Sequence, residues 1–339
     1  MRICLHALAV SLALCILPAI ASADPPDDGP TDTAVLLPPQ PIGETVKAPN
    51  TTRERYGEWS ISGGVYLVEP VFAPSPAFVV SSAGGNLTRQ VDFNRRLDIA
   101  ANVGLGYVSE RGWGWRGRWF QYDHGDTTAY IAAPGETITG MSSLGLGRVP
   151  VNGTVAASSH LAVNLFDVQA TCNIEDAKWS HLAGIGVRYT HLSQDYRATL
   201  ANVNTVIDLS SAHNLNGWGP SFALETKRRI GESGFAIYGQ LNGAIVFGQA
   251  RERYFAVNNG TPQGFVNDST RVLPIGELEA GAEYQRDMGR AKLFLQAGFV
   301  GQIWFNGGNA SNLDGATFSS ASNSNFGFVG LALRGGVRY

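Results

Sequence analysis

The sequence predicts an all-β fold, namely an antiparallel up-and-down barrel of about ten strands that spans a membrane. Three observations carry this prediction. Apolar residues alternate with small or charged residues along ten stretches, which is the period of a β-strand. The connections between these stretches are alternately short and long. Aromatic residues recur at both ends of the apolar faces, as they do in barrels whose outside contacts lipid.

The composition agrees with such a fold. Charged residues make up 16% of the 339 residues, whereas about 25% is usual in a soluble domain. Glycine is abundant with 41 residues, and 44% of the chain is hydrophobic. The net charge of -3 leaves no basic footprint, so nucleic acid is excluded as a partner.

The beginning of the chain has the pattern of an export signal. A positive start (Met1–Arg2) precedes an apolar run, and Ala21–Ser22–Ala23 resembles a cleavage site. The stretch that follows is rich in Pro, Asp and Thr, which favours disorder over a packed core. We therefore expect a signal peptide (1–23), a disordered periplasmic segment (24–55) and the barrel (56–339).

Ten stretches have the periodicity of strands. The last is the clearest, because Val329, Leu331 and Leu333 alternate with small or charged residues up to an aromatic C-terminus. Such a closing strand has lipid on one face and the lumen on the other. In the fourth stretch the apolar face changes side near Phe166, so a bulge is expected there. In chain order the predicted strands are 58–68, 96–108, 113–122, 161–172, 179–192, 216–228, 235–248, 271–285, 292–305 and 325–339.

The lengths of the connections predict the location of the protein. Outer-membrane barrels have short periplasmic turns, long outer loops, an even number of strands and both termini in the periplasm. Because Thr127–Ala132 and Val149–Ala157 could pair as a further hairpin, twelve strands is an alternative, as is eight. Short connections are predicted at 109–112, 173–178, 229–234 and 286–290, and long outer loops at 71–94, 123–160, 193–215, 249–270 and 306–322.

Outward aromatic residues form two rows in this arrangement. Aromatic side chains favour the water boundaries of a membrane, so we expect both rows to contact outer-membrane lipid. The row at the outer ends of the strands comprises Tyr189, Trp218, Phe247 and Phe305. The row at the periplasmic ends comprises Trp59, Tyr107, Trp113, Trp179, Phe235, Tyr284 and Tyr339.

Three motifs carry a resemblance to a known family. They are Gly186–Val187–Arg188–Tyr189, Asn216–Gly217–Trp218–Gly219–Pro220 and Phe247–Gly248. They are similar to motifs of the Legionella-type outer-membrane proteins, which are usually labelled pore-forming. Asp167–Val168–Gln169 departs from the family's Asp-x-Glu. The resemblance covers most of the chain from Trp59 onward, without the loops. It implies an outer-membrane barrel with a proposed pore activity, and it supplies no catalytic residues.

Charged side chains in the predicted strands share the face of the small residues. An Arg or Lys facing lipid costs about 2–4 kcal/mol near the midplane, so these charges are expected to face the lumen. The leading interpretation is a narrow pore for ions or small solutes, in which the charges form a constriction. The candidate residues for ion selectivity are Glu277, Glu279, Glu283, Arg116, Arg118, Arg188, Arg334 and Arg338.

The same charges permit a second interpretation. If they pair with one another, they close the barrel, which would then be structural or act through its outer loops. Arg334 and Arg338 are predicted two strands away from the glutamates, and Arg116 and Arg118 on the opposite wall. We therefore expect partial compensation of charge, with mild ion selectivity.

A lipid hydrolase is a remote alternative, and no enzyme activity is expected. His191 and Ser193 have a suitable spacing near the outer rim, but no acidic partner is evident on that face. The histidines are far apart in the sequence, and Asp123–Asp126 is assigned to a loop, so neither a metal site nor a cofactor is expected. After signal cleavage Cys172 would be the single cysteine, which excludes an intrachain disulfide. The C-terminal strand is expected to engage the barrel-assembly machinery, and the oligomeric state is left open.

Overall fold

The structure is a computed structural model that describes residues 57–72, 75–82, 88–141, 148–149, 153–311 and 324–339. The predicted signal peptide and the predicted disordered segment lie outside these residues. Within the described ranges, no helix is long and apolar enough to cross a membrane. In chain order the strands are β1 (Glu58–Phe72), β2 (Pro76–Ser81), β3 (Thr88–Asp92), β4 (Asp98–Val108), β5 (Trp113–Ile131), β6 (Thr137–Gly140), β7 (Arg148–Val149), β8 (Thr154–Glu175), β9 (Trp179–Ala201), β10 (Val206–Ile230), β11 (Phe235–Asn258), β12 (Thr261–Met288), β13 (Ala291–Trp304) and β14 (Phe326–Arg338).

Ten strands close into one antiparallel barrel, as predicted. Their order around the barrel is β1, β4, β5, β8, β9, β10, β11, β12, β13 and β14. The barrel closes where β14 pairs with β1, from Arg338 opposite Ser60 to Phe326 opposite Phe72. Closure is required because backbone groups in lipid have no water to bond, so every strand edge needs a partner. The prediction of ten strands is confirmed, and the alternatives of eight and twelve are wrong.

The outward face of the barrel is apolar. Along β1, Ile61 is 59% exposed and Val65 is 39% exposed, whereas the inward Tyr66 and Val68 are each 1% exposed. In water, a continuous surface of exposed Ile, Val, Leu and Phe would be an aggregation liability. Around a membrane barrel it is the surface that lipid covers.

Short turns connect the strands at the end of the barrel where β1 begins and β14 ends, which we call the periplasmic end. These turns join β4 to β5, β8 to β9, β10 to β11, and β12 to β13. Glycines with a positive φ occupy three of them, with 82° at Gly112, 78° at Gly234 and 70° at Gly289. Residues with a Cβ rarely adopt this conformation, which explains glycine at these positions.

Two of the long outer connections are not loops, contrary to the prediction. Over 193–215 and 249–270, strands β9 to β12 continue outward and leave only short turns at 202–205 and 259–260. Many inward positions of these extensions remain apolar and buried, although Gln194, His213 and Glu252 are also buried there, whereas most outward positions become polar. A search for apolar residues that face lipid therefore overlooks them. The buried residues include Leu200, Leu209 and Ala256.

The fourth predicted strand also differs in detail. The expected bulge near Phe166 is wrong, since this residue pairs in continuous register with Trp119 of β5 and Tyr189 of β9. The apolar face changes side because the interior of the barrel becomes apolar there, with Leu165 buried inside and Phe166 exposed outside. The segment around Thr127 adds no hairpin, because it extends the pairing of β5 with β8.

A second sheet, with strand order β3, β2, β6 and β7, comes from the connections that follow β1 and β5. Its buried residues share a hydrophobic cluster with inward residues of the extended barrel strands. Pairing of β5 with β4 ends at Gln121, and pairing of β12 with β13 begins at Ile275. Beyond these points β5 and β8 to β12 form an open wall. We call this wall and the small sheet on its inner side the outer β-sandwich.

Glycines on the inner face allow neighbouring backbones to approach closely. A Cβ on Gly330 would collide with the carbonyl oxygen of Leu67, and one on Gly219 with that of Ile245. A narrow barrel curves sharply, and its inner face has the least room.

Candidate functional site

The eight predicted lumen residues lie inside the barrel, where the structure brings them together with three further charged residues. Glu225 and Lys227 also face the lumen, and Asp167 is an additional carboxylate. Together they form a layer in the periplasmic half of the lumen. The layer contains one more basic than acidic side chain, from Arg116, Arg118, Arg188, Lys227, Arg334 and Arg338 against Asp167, Glu225, Glu277, Glu279 and Glu283.

Four of these residues form a closed, neutral arrangement that we call the four-residue ring: Arg118, Asp167, Arg188 and Glu277. Arg118 donates to both oxygens of Glu277 at 2.8 Å and to Asp167 Oδ2 at 2.8 Å. Arg188 donates from Nε and Nη2 to Asp167 at 2.7 and 2.8 Å. Its Nη1 lies 2.7 Å from Glu277 Oε1. Each guanidinium therefore bridges both carboxylates.

The four-residue ring crosses the lumen. Arg118, Asp167 and Arg188 are direct register partners on β5, β8 and β9. Glu277 comes from β12, which lies five strands from β5 in either direction around the barrel. The arrangement is almost dry, because Arg188, Asp167 and Glu277 are 0%, 2% and 5% exposed. Charges this desolvated are tolerated only when they are paired and hydrogen-bonded.

Glu279 is held by three partners. Arg334 of β14 donates to its Oε1 at 2.6 Å, and Tyr238 of β11 donates to the same oxygen at 2.7 Å. The hydroxyl of Tyr66 on β1 donates to Oε2 at 2.7 Å. Glu279 thus links four strands around one side of the lumen.

A third group of contacts lies below the ring, toward the periplasm. Arg116 donates to Gln169 at 2.7 Å and to Asn242 at 3.0 Å, and it lies 3.6 Å from Glu225. Lys227 lies 3.0 Å from Glu225 and 2.9 Å from Glu283. Arg338 also reaches Glu283, at 3.5 Å.

All three glutamates of the predicted constriction are therefore paired, and the expectation of only partial compensation is wrong. The barrel is narrow enough for side chains from strands that are not neighbours to meet. Contacts across the lumen, rather than along the sheet, supply the basic partners that sequence spacing placed too far away.

An apolar layer lies on the outer side of the charged layer. Inward aromatic side chains from neighbouring and non-neighbouring strands pack against one another here. Phe120 of β5 is 6.1 Å from Phe328 of β14, and Tyr122 is 4.9 Å from Phe328, measured between ring centroids. Trp304 stacks on Phe326 at 5.3 Å. The residues of this apolar layer include Phe120, Tyr122, Leu165, Val246, Ile275, Trp304, Phe326 and Phe328, all at most 3% exposed.

A polar cavity of about 210 Å³ occupies the lumen on the periplasmic side of the four-residue ring, and several residues of the charged layer line it. Ser60 and Ser62 of β1 and Gln240 of β11 contribute to its wall. It extends from Glu58 at the periplasmic end to Arg118 in the four-residue ring. Water and small solutes can therefore reach the charged layer from the periplasmic side.

Sequence reasoning did not identify Asp167, Tyr66 or Tyr238 as parts of the charged layer. A signal for Asp167 is present, because it shares its face with Gln169 and alternates with the outward Phe166 and Val168. The tyrosines carry no comparable signal. In the sequence they resemble ordinary aromatic strand residues, and only the structure shows that their hydroxyls donate to Glu279.

A smaller polar group lies at the outer rim and was assigned to a loop by the sequence analysis. His124 and Asp126 are part of β5. The Nδ1 atom of His124 is 2.5 Å from Asp98, and its Nε2 atom is 3.5 Å from Asp126. No group of three or more His, Cys, Asp or Glu residues in the described part of the chain has a geometry that could hold a metal ion.

The residues considered for lipid hydrolysis have amide partners. His191 Nδ1 lies 2.6 Å from Asn216 Oδ1, and Ser193 donates to Asn214 Oδ1 at 2.6 Å. A nucleophilic serine needs a histidine within hydrogen-bond reach, and the histidine needs an orienting acid. Neither contact is present for these two residues.

The predicted interface aromatics lie at the periplasmic end of the barrel. Trp59, Trp113, Tyr284 and Tyr339 are between 39% and 64% exposed. Several of them also touch other aromatic rings, as Trp59 does with Tyr107 at 5.0 Å. Trp179 packs against His181 and lies under the guanidinium of Arg228.

A closed barrel with an apolar outer surface and a charged interior defines an outer-membrane β-barrel protein. The chain belongs to the family described as the Legionella pneumophila major outer membrane protein precursor, whose model matches residues 54–338. The resemblance in its motifs is thereby confirmed, and so is its location in the outer membrane. No curated protein matches the sequence.

The chain is also distantly similar to several solved structures. The outer membrane protease OmpT from Escherichia coli is 8% identical, with 83% of this chain and 96% of that chain covered and a TM-score of 0.43. The toluene transporter TodX from Pseudomonas putida is 9% identical, with 83% and 89% covered and a TM-score of 0.28. A Pseudomonas aeruginosa FadL homologue is 7% identical, with 84% and 90% covered and a TM-score of 0.24. Likenesses this distant say nothing about activity.

Proposed function

We propose that the protein is a non-enzymatic outer-membrane barrel that is closed to solutes and acts at the cell surface through its outer β-sandwich. The observation that carries this proposal is the obstruction of the lumen at two successive levels. The four-residue ring joins opposite walls, and the apolar layer lies directly beyond it.

Each level opposes ion passage for its own physical reason. An ion that enters the four-residue ring must compete for carboxylates and guanidiniums that already satisfy one another in a dry environment. An ion that enters the apolar layer loses its hydration without gaining ligands, which is how hydrophobic constrictions stop conduction. The two barriers act in series.

The length of the strands supports a role outside the membrane. Strands β9 to β12 have 23, 25, 24 and 28 residues. About 9–11 residues suffice to cross the hydrocarbon core. A large part of each strand therefore lies beyond the membrane and builds the outer β-sandwich, which has a hydrophobic cluster of its own.

The absence of enzyme activity is part of the proposal. Its support is the bonding of the one candidate pair, since His191 and Ser193 contact asparagines. In the described part of the chain, no acid completes a hydrolytic group around these two residues.

A narrow pore for ions or small solutes is the second candidate function. The polar cavity that reaches Arg118 from the periplasmic side favours it. Conduction would then require the charged layer to exchange partners and the apolar layer to separate. The selectivity role predicted for Glu277, Glu279 and Glu283 belongs to this candidate.

Conductance of the purified, folded protein in a planar bilayer distinguishes the two candidates. We expect no steady current from the wild-type protein. Because replacing Phe120 and Phe328 by serine hydrates the apolar layer, the Phe120→Ser/Phe328→Ser variant should show brief openings. A steady, ohmic current from the wild-type protein would contradict the closed-barrel proposal and favour the pore.

A further inference from the structure

The outward surface of β9 to β12 changes abruptly from apolar to polar as these strands leave the membrane. The last lipid-facing row runs through Tyr189, Trp218, Phe247 and Val272, which are register partners across the four strands. The next outward row consists of His191, Asn216, Gln249 and Thr270. The row above it consists of Ser193, Asn214, Arg251 and Asp268. We call these two polar rows, with Arg253, the headgroup patch.

The headgroup patch is concave. It forms a depression of about 590 Å³ whose wall includes His191, Asn214, Arg251 and Arg253. Each row lies two residues further along strands that rise about 3.3 Å per residue and tilt by about 40°. The first polar row therefore lies about 5 Å above the aromatic row, and Arg251 lies about 10 Å above it.

Two arginines of the patch are available to a ligand. Within the part of the chain that the structure describes, Arg253 makes no ion pair and no side-chain hydrogen bond. Arg251 is 3.6 Å from Asp268, the acid of these two rows, and both side chains are more than half exposed. This differs from the lumen, where basic side chains are buried against carboxylates.

The amides of the patch are arranged as further donors. Asn216 uses its side-chain oxygen on His191 and Tyr189, and Asn214 uses its own on Ser193. Among the described residues, their amide nitrogens make no hydrogen bond and can donate to a ligand. Guanidinium and amide donors at one level are the groups that bind phosphate oxygens, often in a bidentate manner.

We propose that the headgroup patch binds the phosphate of a phosphorylated glycolipid in the outer leaflet. The depth of the patch selects a lipid, because the first polar row lines the depression and is the next outward row after the lipid-facing row on all four strands. A phosphate beside Arg251 and Arg253 would place the attached acyl chains along Trp218 and Phe247, which are 62% and 54% exposed. The positive charge of the two arginines is complementary to the negative charge of the phosphate.

Native mass spectrometry of the full-length protein tests this assignment, with diphosphorylated lipid A in neutral detergent as the probe. We expect the wild-type protein to retain lipid A and Arg251→Gln/Arg253→Gln to bind it at least about tenfold more weakly, since two charge-assisted contacts are removed. Arg89→Gln is the matched control, because it removes an exposed arginine of β3 outside the patch. It should bind lipid A like the wild type.

Heat-modifiable migration on gels verifies that each variant is folded before its binding is compared. Equal retention of lipid A by the wild type and the double variant would overturn the proposal, and so would no retention by the wild type. Displacement of lipid A by an equal concentration of inorganic phosphate would also overturn it, because the patch would then bind anions and not the lipid. Retention that depends on Arg251 and Arg253 and resists inorganic phosphate supports it.

Discussion

Replacing Glu277 by glutamine should strongly destabilise the folded barrel. The carboxylate of Glu277 receives two bonds of 2.8 Å from Arg118 and lies 2.7 Å from Arg188. Glutamine keeps the size of the side chain but removes its charge, so both arginines depend on Asp167 alone. One buried positive charge is then uncompensated, which costs about 3–5 kcal/mol. With a urea dependence of about 3 kcal/mol per molar, the unfolding midpoint should fall by about 1 M or more.

The measurement is the fraction of folded protein against urea concentration, followed by gel migration in detergent. Glu58→Gln is the control, because this side chain is 42% exposed and its nearest basic partners are 3.9 Å away. Exposed pairs contribute about 0–1 kcal/mol, so its midpoint should hardly move. The double variant Arg188→Gln/Glu277→Gln leaves Arg118 paired with Asp167. Its free energy of unfolding should therefore fall by less than the sum of the decreases in the two single variants. Equal midpoints for Glu277→Gln and Glu58→Gln would refute the assignment of a buried, interdependent ring.

Three further predictions concern closure, curvature and the outer β-sandwich. Deleting Tyr339 should lower the yield of folded protein in the membrane, because its backbone exchanges hydrogen bonds of 2.7 and 2.8 Å with Trp59 where the barrel closes; an unchanged yield would contradict this role. Gly330→Ala should lower the folded fraction on refolding into detergent, because its Cβ would meet the carbonyl of Leu67, whereas Gly63→Ala has open space and should refold normally. Tyr196→Phe should increase cleavage of the outer β-sandwich in limited proteolysis, since the hydroxyl donates to Ala77 and accepts from Met141, and loss of such buried bonds costs about 1–3 kcal/mol. Cleavage at the wild-type rate would show that this contact does not hold the small sheet.

The barrel itself is predictable from the sequence because lipid imposes a simple pattern. Because lipid requires an apolar outward face on every strand, apolar residues recur at every second position. This alternation identified all ten membrane strands. The outer extensions obey a different rule, since water surrounds them and their apolar residues point inward. At these positions the apolar residues change from the outward to the inward face of the strand. The sequence analysis interpreted this change as a bulge at Phe166 and as a loop over 193–215.

The charged layer was only half predictable, for a related reason. The alternation of side chains along a strand indicates which residues face the lumen. For Glu277 and Arg118, the cost of placing a charge in lipid also requires the inward orientation. This alternation does not indicate which side chains meet across the lumen, because such contacts depend on the register and the width of the closed barrel. The sequence could not place Arg118 opposite Glu277, and it gave no reason for Tyr66 or Tyr238 to bind Glu279.

Thiol labelling from the two sides of the membrane tests the closed lumen most directly. In a Cys172→Ala background, cysteine replaces Ser62, which lines the periplasmic cavity, or Val246, which is 0% exposed in the apolar layer. Folded protein in liposomes is then treated with a small, charged, membrane-impermeant thiol reagent. We predict that Ser62→Cys reacts from the periplasmic side only and that Val246→Cys reacts from neither side until the barrel is unfolded. Rapid reaction of Val246→Cys from either side in the folded barrel, or of Ser62→Cys from the outer side, would show a continuous aqueous path and contradict the closed barrel.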